Sequence, residues 1–147
     1  MNAPEGYEAR VRDSFAQQRA MATLGARLVA VAPGAVDIAL PFREDLTQQH
    51  GFLHAGIVGT VLDSACGYAA YTLMPADAEV LSVEYKLNLL APARGESVVA
   101  RARVRKAGRT ITVCEADAFA VNRGAEKLVA TMTGTMMCVR DRGGVTG

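Results

Sequence analysis

The sequence predicts an α+β fold in which one long helix lies against an antiparallel sheet of five to six strands. Two periodic segments support this prediction. Apolar residues recur at helical spacing from Ile57 to Leu73, and Pro75 ends the segment. From Val80, apolar and polar residues alternate, which is the period of a strand covered on one face. Further alternating segments follow, so the second half of the chain is predicted to be a β-meander.

The other elements follow in order, with no internal repeat or linker. Residues 6–20 are mostly polar and predict a surface helix, and residues 27–40 predict two strands around a turn at Pro33-Gly34. Strands are also predicted at 96–106, 110–121 and 127–139, with turns at 107–108 and 122–124. We therefore expect an N-terminal arm at 1–23, a main domain at 24–139 and a disordered tail at 140–147.

In the strand that begins at Val80, alternation predicts two distinct faces. One face is expected to carry Leu81, Val83, Tyr85, Leu87 and Leu89, and the other Ser82, Glu84, Lys86 and Asn88.

Composition excludes several classes of protein. The chain has 147 residues, enough for one domain, and its 5% of aromatic residues predict a core of Ala, Val, Leu and Ile. A net charge of +1 argues against a nucleic-acid or membrane-surface binder, and no apolar stretch is long enough to span a membrane. Cys66, Cys114 and Cys138 form no C-x-x-C pair, so we expect no metal, no cofactor and a cytoplasmic location.

Asp63 is the strongest candidate for a catalytic residue. It is the only formally charged side chain between Leu46 and Ala76, and it lies in the middle of the apolar helix. Burying an isolated carboxylate costs several kcal/mol unless it gains a partner or its pKa rises. A raised pKa is what a general base near neutral pH needs. Gly56, Gly59, Gly67 and Ala70 lie near the same helical face and predict a slot for a backbone or a thin ligand.

The start of the same helix favours an anion. Unpaired backbone N–H groups and the positive end of the helix dipole lie there, so a developing oxyanion would be stabilised. Ala55 and Asp63 are eight residues apart, however, which is about 12 Å along a helix. One carbonyl cannot contact both. If both residues are catalytic, they come from different subunits.

Two motifs carry a family resemblance. His54-Ala55-Gly56, with an acidic residue nine positions after the His, resembles the signature of hotdog-fold acyl-CoA thioesterases of the phenylacetic-acid-degradation type. The run Ser82-Val83-Glu84-Tyr85, with Asn88 and Pro92, is similar to the strand after the helix in that family. The resemblance covers roughly residues 24–139. The family motif is usually His-Gly-Gly, and Ala55 replaces the first Gly while keeping its backbone N–H.

This resemblance implies a hotdog fold, an acyl-CoA substrate, no cofactor, and a homodimer or homotetramer with active sites between subunits. It also implies that Asp63 activates water or attacks the thioester carbonyl, and that Ser82 helps to hold the water. The Ala55 N–H, within the motif that includes Gly56, would polarise the thioester oxygen from the facing subunit. Gln48 would steady the carbonyl or the water, and His54 is expected to shape the turn rather than transfer protons.

Alternative interpretations stay open at this point. Arg101, Arg103 and Arg105 predict a solvated or intersubunit face, with CoA phosphate contact by Arg105, and by Lys106 and Arg109, as the alternative. Cys66 has no evident partner base and is interpreted as a core residue. The rival functions are a hotdog enoyl- or hydroxyacyl-CoA hydratase or dehydratase, and a non-catalytic acyl-CoA-binding module.

Overall fold

A computed structural model describes residues 1–140, which form one sheet with a long helix on one face. Helices α1 (Tyr7–Gln17) and α2 (Arg19–Leu24) precede strands β1 (Arg27–Ala32) and β2 (Ala35–Pro41). A short 3₁₀ turn (Glu44–Leu46) leads to α3 (Ala55–Tyr71), which is followed by β3 (Glu79–Leu89), β4 (Ser97–Ala107), β5 (Ile111–Asn122) and β6 (Ala125–Val139). The predicted disordered tail lies outside the described residues, except for Arg140.

The six strands form one antiparallel sheet in the order β1-β2-β4-β5-β6-β3. The predicted α+β class and the upper limit of the predicted strand number are confirmed. The β5–β6 hairpin turns at Arg123 and Gly124, whose φ angles are 51° and 78°, as in the two-residue turns that match strand twist. Within residues 1–140, no helix is long and apolar enough to cross a membrane.

Small residues bring α3 close to the sheet. Ala65, Cys66, Ala69 and Ala70 of the helix are fully buried. Their counterparts on the strands are also small and fully buried: Ala100, Cys114, Ala116, Ala118 and Ala130. Close backbone approach is possible because these side chains occupy little volume, and larger residues such as Ile38, Leu62 and Met132 fill the remaining core.

The N-terminal segment differs from the single helix predicted over 6–20. The chain breaks at Gln18, whose backbone is extended with φ −77° and ψ 100°, and α2 starts at the next residue. Gln18 instead bonds to α3, donating from Nε2 to the Tyr68 hydroxyl at 3.0 Å and accepting from the Ser64 hydroxyl at 2.9 Å. Tertiary hydrogen bonds therefore override the local helical preference at this residue.

The C-terminal end of α3 is held by α1. Arg10 donates to the carbonyl oxygens of Tyr71, Met74 and Pro75, and its guanidinium lies 4.3 Å from the centre of the Tyr71 ring. A helix leaves its last carbonyls unpaired, and an arginine at this end satisfies them. Val11 and Met21 of the arm are fully buried against the same core. The division into an arm at 1–23 and a domain at 24–139 stays a prediction.

The predicted faces of β3 are confirmed after Val83 and wrong before it, because the strand contains a β-bulge. Its register with β6 shifts between Ser82 and Glu84. Ser82 pairs with Met136, whereas Tyr85 and Leu87 pair with Gly134 and Met132. Because these β6 residues all belong to the face that packs on α3, the bulge places Ser82 on the same face as Leu87. An extra residue in one strand reverses the alternation after it.

Candidate active site

Asp63 lies half-buried in the middle of α3, where β3 passes over the helix. Ser82 Oγ donates a hydrogen bond to Asp63 Oδ1 at 2.8 Å. Among residues 1–140, the other carboxylate oxygen has no hydrogen-bond donor. Burial raises the pKa of Asp63 above its usual range, and the Ser82 hydroxyl offsets part of that rise. The result is a carboxylate with one anchored oxygen and one oxygen free to accept a proton.

Asp63 faces a cleft of about 410 Å³. Its walls come from α3, from the first residues of β3 and from the N-terminal arm. The residues that line it are Ser14, Gln17, Gln18, Asp63, Ser64, Gly67, Tyr68, Glu79, Val80, Leu81 and Ser82. A Cβ added at Gly67 would have no neighbour within 4 Å, so the absence of a side chain leaves this part of the cleft open. The cleft therefore gives a small ligand direct access to Asp63.

The start of α3 carries the second group of candidate residues. His54 is the N-cap, and its Nδ1 accepts a hydrogen bond from the Gly56 N–H at 2.9 Å. This bond uses the Gly56 donor and fixes the turn. Within the described part of the chain, the Ala55 N–H has no acceptor. Ala55 is therefore the residue of the motif whose backbone amide is free to bind an oxyanion.

Gln48 lines the same pocket as Ala55, and its side-chain amide can donate hydrogen bonds. Its side-chain Oε1 accepts from the backbone N–H groups of His50 at 2.5 Å and Phe52 at 3.4 Å. Since these contacts hold the amide oxygen, the Nε2 group is left to donate. Gln48 and Ala55 both line a second pocket of about 360 Å³, whose other walls are largely apolar. Gln48 and Ala55 thus offer two N–H donors to a pocket with mainly apolar walls, a setting that favours oxyanion stabilisation.

One chain does not bring these two groups together. Asp63 and Ser82 line the first cleft, whereas Ala55 and Gln48 line the second pocket, and the two sets share no residue. Because α3 is continuous from Ala55 to Tyr71, Ala55 and Asp63 are about 12 Å apart along its axis, given a rise of about 1.5 Å per residue.

The chain matches the model of a known family. The model of the thioesterase superfamily matches residues 50–126, slightly more than half of the chain. The chain belongs to this superfamily. The predicted resemblance to hotdog thioesterases is thereby confirmed.

Individual relatives agree with this assignment. A thioesterase family protein of known structure from Silicibacter pomeroyi is 58% identical, with a TM-score of 0.90 over 92% of this chain and 99% of that chain. Acyl-coenzyme A thioesterase 13 of Homo sapiens is 32% identical over 104 residues, covering 70% of this chain and 72% of that protein. The PaaI protein from the E. coli phenylacetic acid degradation operon is 18% identical with a TM-score of 0.81, over 90% of this chain and 93% of that one, and shows the fold alone.

A putative esterase of Halobacterium salinarum is 32% identical over 97 residues, covering 63% of this chain. The match spans 64% of that relative's length, which is just under two thirds.

Small residues on α3 leave space at two places. A Cβ at Gly59 would lie 3.2 Å from Leu87 Cδ2, so Gly59 allows β3 to approach. Gly67 borders the open cleft, while Ala70 is fully buried. The predicted slot beside Asp63 therefore corresponds to Gly67.

The basic residues singled out in the sequence line neither pocket. Arg103 and Arg105 contact Glu115 at 3.1 Å and 3.3 Å, and Arg101 contacts Glu126 at 2.6 Å. The predicted basic stripe is thus balanced by acidic residues on neighbouring strands. Arg109 lines a separate pocket of about 180 Å³ near the end of α3, and Lys106 is exposed. Contact of Arg105, Lys106 and Arg109 with CoA stays a prediction.

The cysteines of this superfamily member are free thiols. Burial raises the pKa of the Cys66 thiol, which lies one turn after Asp63, and raises the pKa of Cys114 to about 12. Both groups are protonated at neutral pH and lack the thiolate character of a nucleophile. Within residues 1–140, no cluster of three or more His, Cys, Asp or Glu side chains is placed to hold a metal ion.

Sequence reasoning missed the cleft residues on the N-terminal arm and their partners on α3. Ser64 and Tyr68 are polar residues in an otherwise apolar helix, which was an available signal. The sequence contains no comparable signal for Ser14 and Gln18, because their position over α3 depends on how the N-terminal arm packs.

Proposed function

We propose that the protein hydrolyses acyl-CoA thioesters to free acid and CoA, with water activated by Asp63. The observation that carries this proposal is a half-buried carboxylate of raised pKa, held by Ser82 and open to a cleft. A base of raised pKa can accept a proton from water near neutral pH, which an exposed aspartate does poorly. Superfamily membership supports thioester chemistry at this site.

In the proposed reaction, the water oxygen attacks the thioester carbonyl carbon while its proton passes to Asp63. The carbonyl oxygen becomes an oxyanion and receives hydrogen bonds from the Ala55 N–H and Gln48 Nε2. Collapse of the tetrahedral intermediate breaks the C–S bond, and the departing CoA thiolate takes the proton from Asp63. Ser82 positions the carboxylate, and His54 and Gly56 maintain the helix start through their mutual hydrogen bond.

The donors and the base would come from two subunits. Strand β3 is at the edge of the sheet and, within residues 1–140, pairs with β6 alone. Along it, Leu81, Val83, Tyr85 and Leu89 are 48%, 56%, 48% and 56% exposed. A long apolar edge strand with unpaired backbone groups favours pairing with another strand. A second copy of the chain supplies an identical edge.

Antiparallel pairing of two β3 strands would join the half-sites. Within one chain, Ser82 near the start of β3 meets Asp63, and Leu89 at its end borders the pocket that contains Ala55. A two-fold axis between the strands places the start of one beside the end of the other. Asp63 of each subunit then faces Ala55 of its partner. We propose a homodimer of this kind, able to associate further into a homotetramer, in the cytoplasm.

The test is release of free thiol from a panel of acyl-CoAs by the wild type and by Asp63→Asn. We expect the variant to lose about 10²-fold to 10⁴-fold in kcat, the usual contribution of a general base, without change in oligomeric state. Asp13→Asn, at an exposed carboxylate on α1, is the matched control and should keep full activity.

An unchanged rate in Asp63→Asn would refute the role of this residue. Tight binding of acyl-CoA without thiol release by the wild type would instead show a binding module. Turnover of enoyl- or hydroxyacyl-CoA by hydration or dehydration, without thiol release, would show the hydratase class.

A further inference from the structure

The cleft beside Asp63 has a polar far end that the proposed hydrolysis does not use. Ser14 Oγ lies 3.3 Å from the Tyr68 hydroxyl, and Gln18 Nε2 donates to the same hydroxyl at 3.0 Å. Gln18 Oε1 in turn accepts from Ser64 Oγ. Tyr68 itself is only 5% exposed. The arm thus builds a fixed polar wall, because each of these side chains is held by another.

This wall lies at a distance from Asp63 that suits the end of an acyl chain. Tyr68 is five residues after Asp63 on α3, about 7.5 Å further along the axis at about 1.5 Å per residue. Gly67 lies between them and contributes no side chain. An acyl group with its carbonyl beside Asp63 would pass over Gly67 toward Gln18 and Tyr68, which line the same cleft.

The charge of the cleft restricts the acyl group further. Asp63 and Glu79 are the charged residues that line it, and both are acidic. No Lys or Arg is among the lining residues within the described chain. A second carboxylate at the end of the acyl group would meet like charges without a cation to pair with it, which is unfavourable in a partly buried site. An alkyl end would leave the polar wall without hydrogen bonds from the ligand.

We propose that this cleft is the acyl subsite, and that Gln18 and Tyr68 select a compact, uncharged acyl group with a terminal hydroxyl or similar hydrogen-bonding group. This inference rests on the proposed thioester hydrolysis. Gln18 has one amide hydrogen and one oxygen lone pair beyond those used with Tyr68 and Ser64. It can therefore both donate to and accept from such a group.

The experiment compares kcat/KM for hexanoyl-CoA, 6-hydroxyhexanoyl-CoA and adipoyl-CoA, which differ only at the far end of chains of equal length. The wild type should prefer the hydroxylated substrate to hexanoyl-CoA by about threefold to tenfold, the effect of one net hydrogen bond. It should hydrolyse adipoyl-CoA at least about tenfold less efficiently than hexanoyl-CoA because of charge repulsion.

Variants then assign the preference to residues. Gln18→Leu should bring the ratio of kcat/KM for 6-hydroxyhexanoyl-CoA to kcat/KM for hexanoyl-CoA close to one, mainly through a change in KM. Tyr68→Phe keeps the ring and should lower the ratio in the same direction. Arg19→Leu, at the exposed position next in the chain, should leave the ratio unchanged. Thermal unfolding of each variant checks that the arm is still folded.

The outcomes separate the two proposals. If none of the three substrates releases thiol, and a broader acyl-CoA panel also fails, the proposed hydrolysis is wrong. If hexanoyl-CoA is hydrolysed as well as or better than its hydroxylated counterpart, or if the ratio survives in both folded variants, the hydrolysis stands and the acyl subsite is refuted.

Discussion

The start and the middle of α3 carry complementary chemistry. Around Asp63, the helix faces a polar cleft that offers a proton acceptor and hydroxyl groups. Around Ala55, the helix start faces a largely apolar pocket that offers N–H donors. The first region has the proposed base but not the proposed oxyanion donors, and the second has the donors but not the base. In the proposed homodimer, a symmetric partner would supply what each half lacks.

Among the tests of this comparison, the largest effect is expected from removing the donor at the helix start. Ala55→Pro deletes one N–H while proline remains tolerated at the first helical position. The preceding residue, His54, has φ −59° and ψ 136°, which is the conformation preferred before proline. We expect kcat to fall by about 10²-fold to 10³-fold, as for loss of one oxyanion donor. Ala55→Gly keeps the N–H and should stay near wild-type activity. Equal activities of the Pro and Gly variants would remove Ala55 from the mechanism.

Mixing two inactive variants tests whether the halves come from different subunits. In the proposed dimer, each site takes Asp63 from one chain and Ala55 from the other. A hybrid of one Asp63→Asn subunit and one Ala55→Pro subunit then has one site with both substitutions and one site with neither. Co-refolding an equal mixture should therefore recover up to about a quarter of wild-type activity in a two-fold dimer. Each variant refolded alone should stay inactive. No recovery, with hybrids shown by native mass spectrometry, would place both residues in the same chain's site.

A smaller effect is expected from Ser82→Ala. The Ser82 hydrogen bond lowers the pKa of Asp63, which burial raises. Without it the pKa of Asp63 rises further, so the carboxylate becomes available only at higher pH. The acidic limb of the profile of kcat/KM against pH should shift to higher pH, with a loss of about tenfold at neutral pH, the order expected for a hydrogen bond to a charged group. Ser82→Thr keeps the hydroxyl and should restore the limb. An unshifted limb in Ser82→Ala would separate Ser82 from the base.

Local patterns predicted most of the fold and the first group of site residues. The helical period located α3 within two residues of its start, and the position of Asp63 as a lone charge in an uncharged segment marked it as a candidate. These signals are local, because a hydrophobic period or an isolated charge can be recognised within one short stretch of consecutive residues. The separation of Ala55 from Asp63 followed from helix geometry alone.

The remaining features depend on contacts between distant segments. The bulge after Ser82 is invisible in an alternating pattern, although it decides that Ser82 faces Asp63. Likewise, Gln18 looks like one residue of a polar helix, and only the packing of the arm on Tyr68 turns it toward the cleft. Register and arm packing are set by the whole sheet and core, and a window of neighbouring residues does not contain them.

The smallest expected effect compares two glycines of α3 by stability rather than by activity. A Cβ at Gly67 meets nothing within 4 Å, so Gly67→Ala should stabilise the fold by up to about 1 kcal/mol through helix propensity. A Cβ at Gly59 would lie 3.2 Å from Leu87 Cδ2, so Gly59→Ala should gain less or destabilise, since β3 must shift. Chemical denaturation of both variants measures the difference. A larger gain for Gly59→Ala would show that β3 is free to move away from the helix, and with it Ser82 from Asp63.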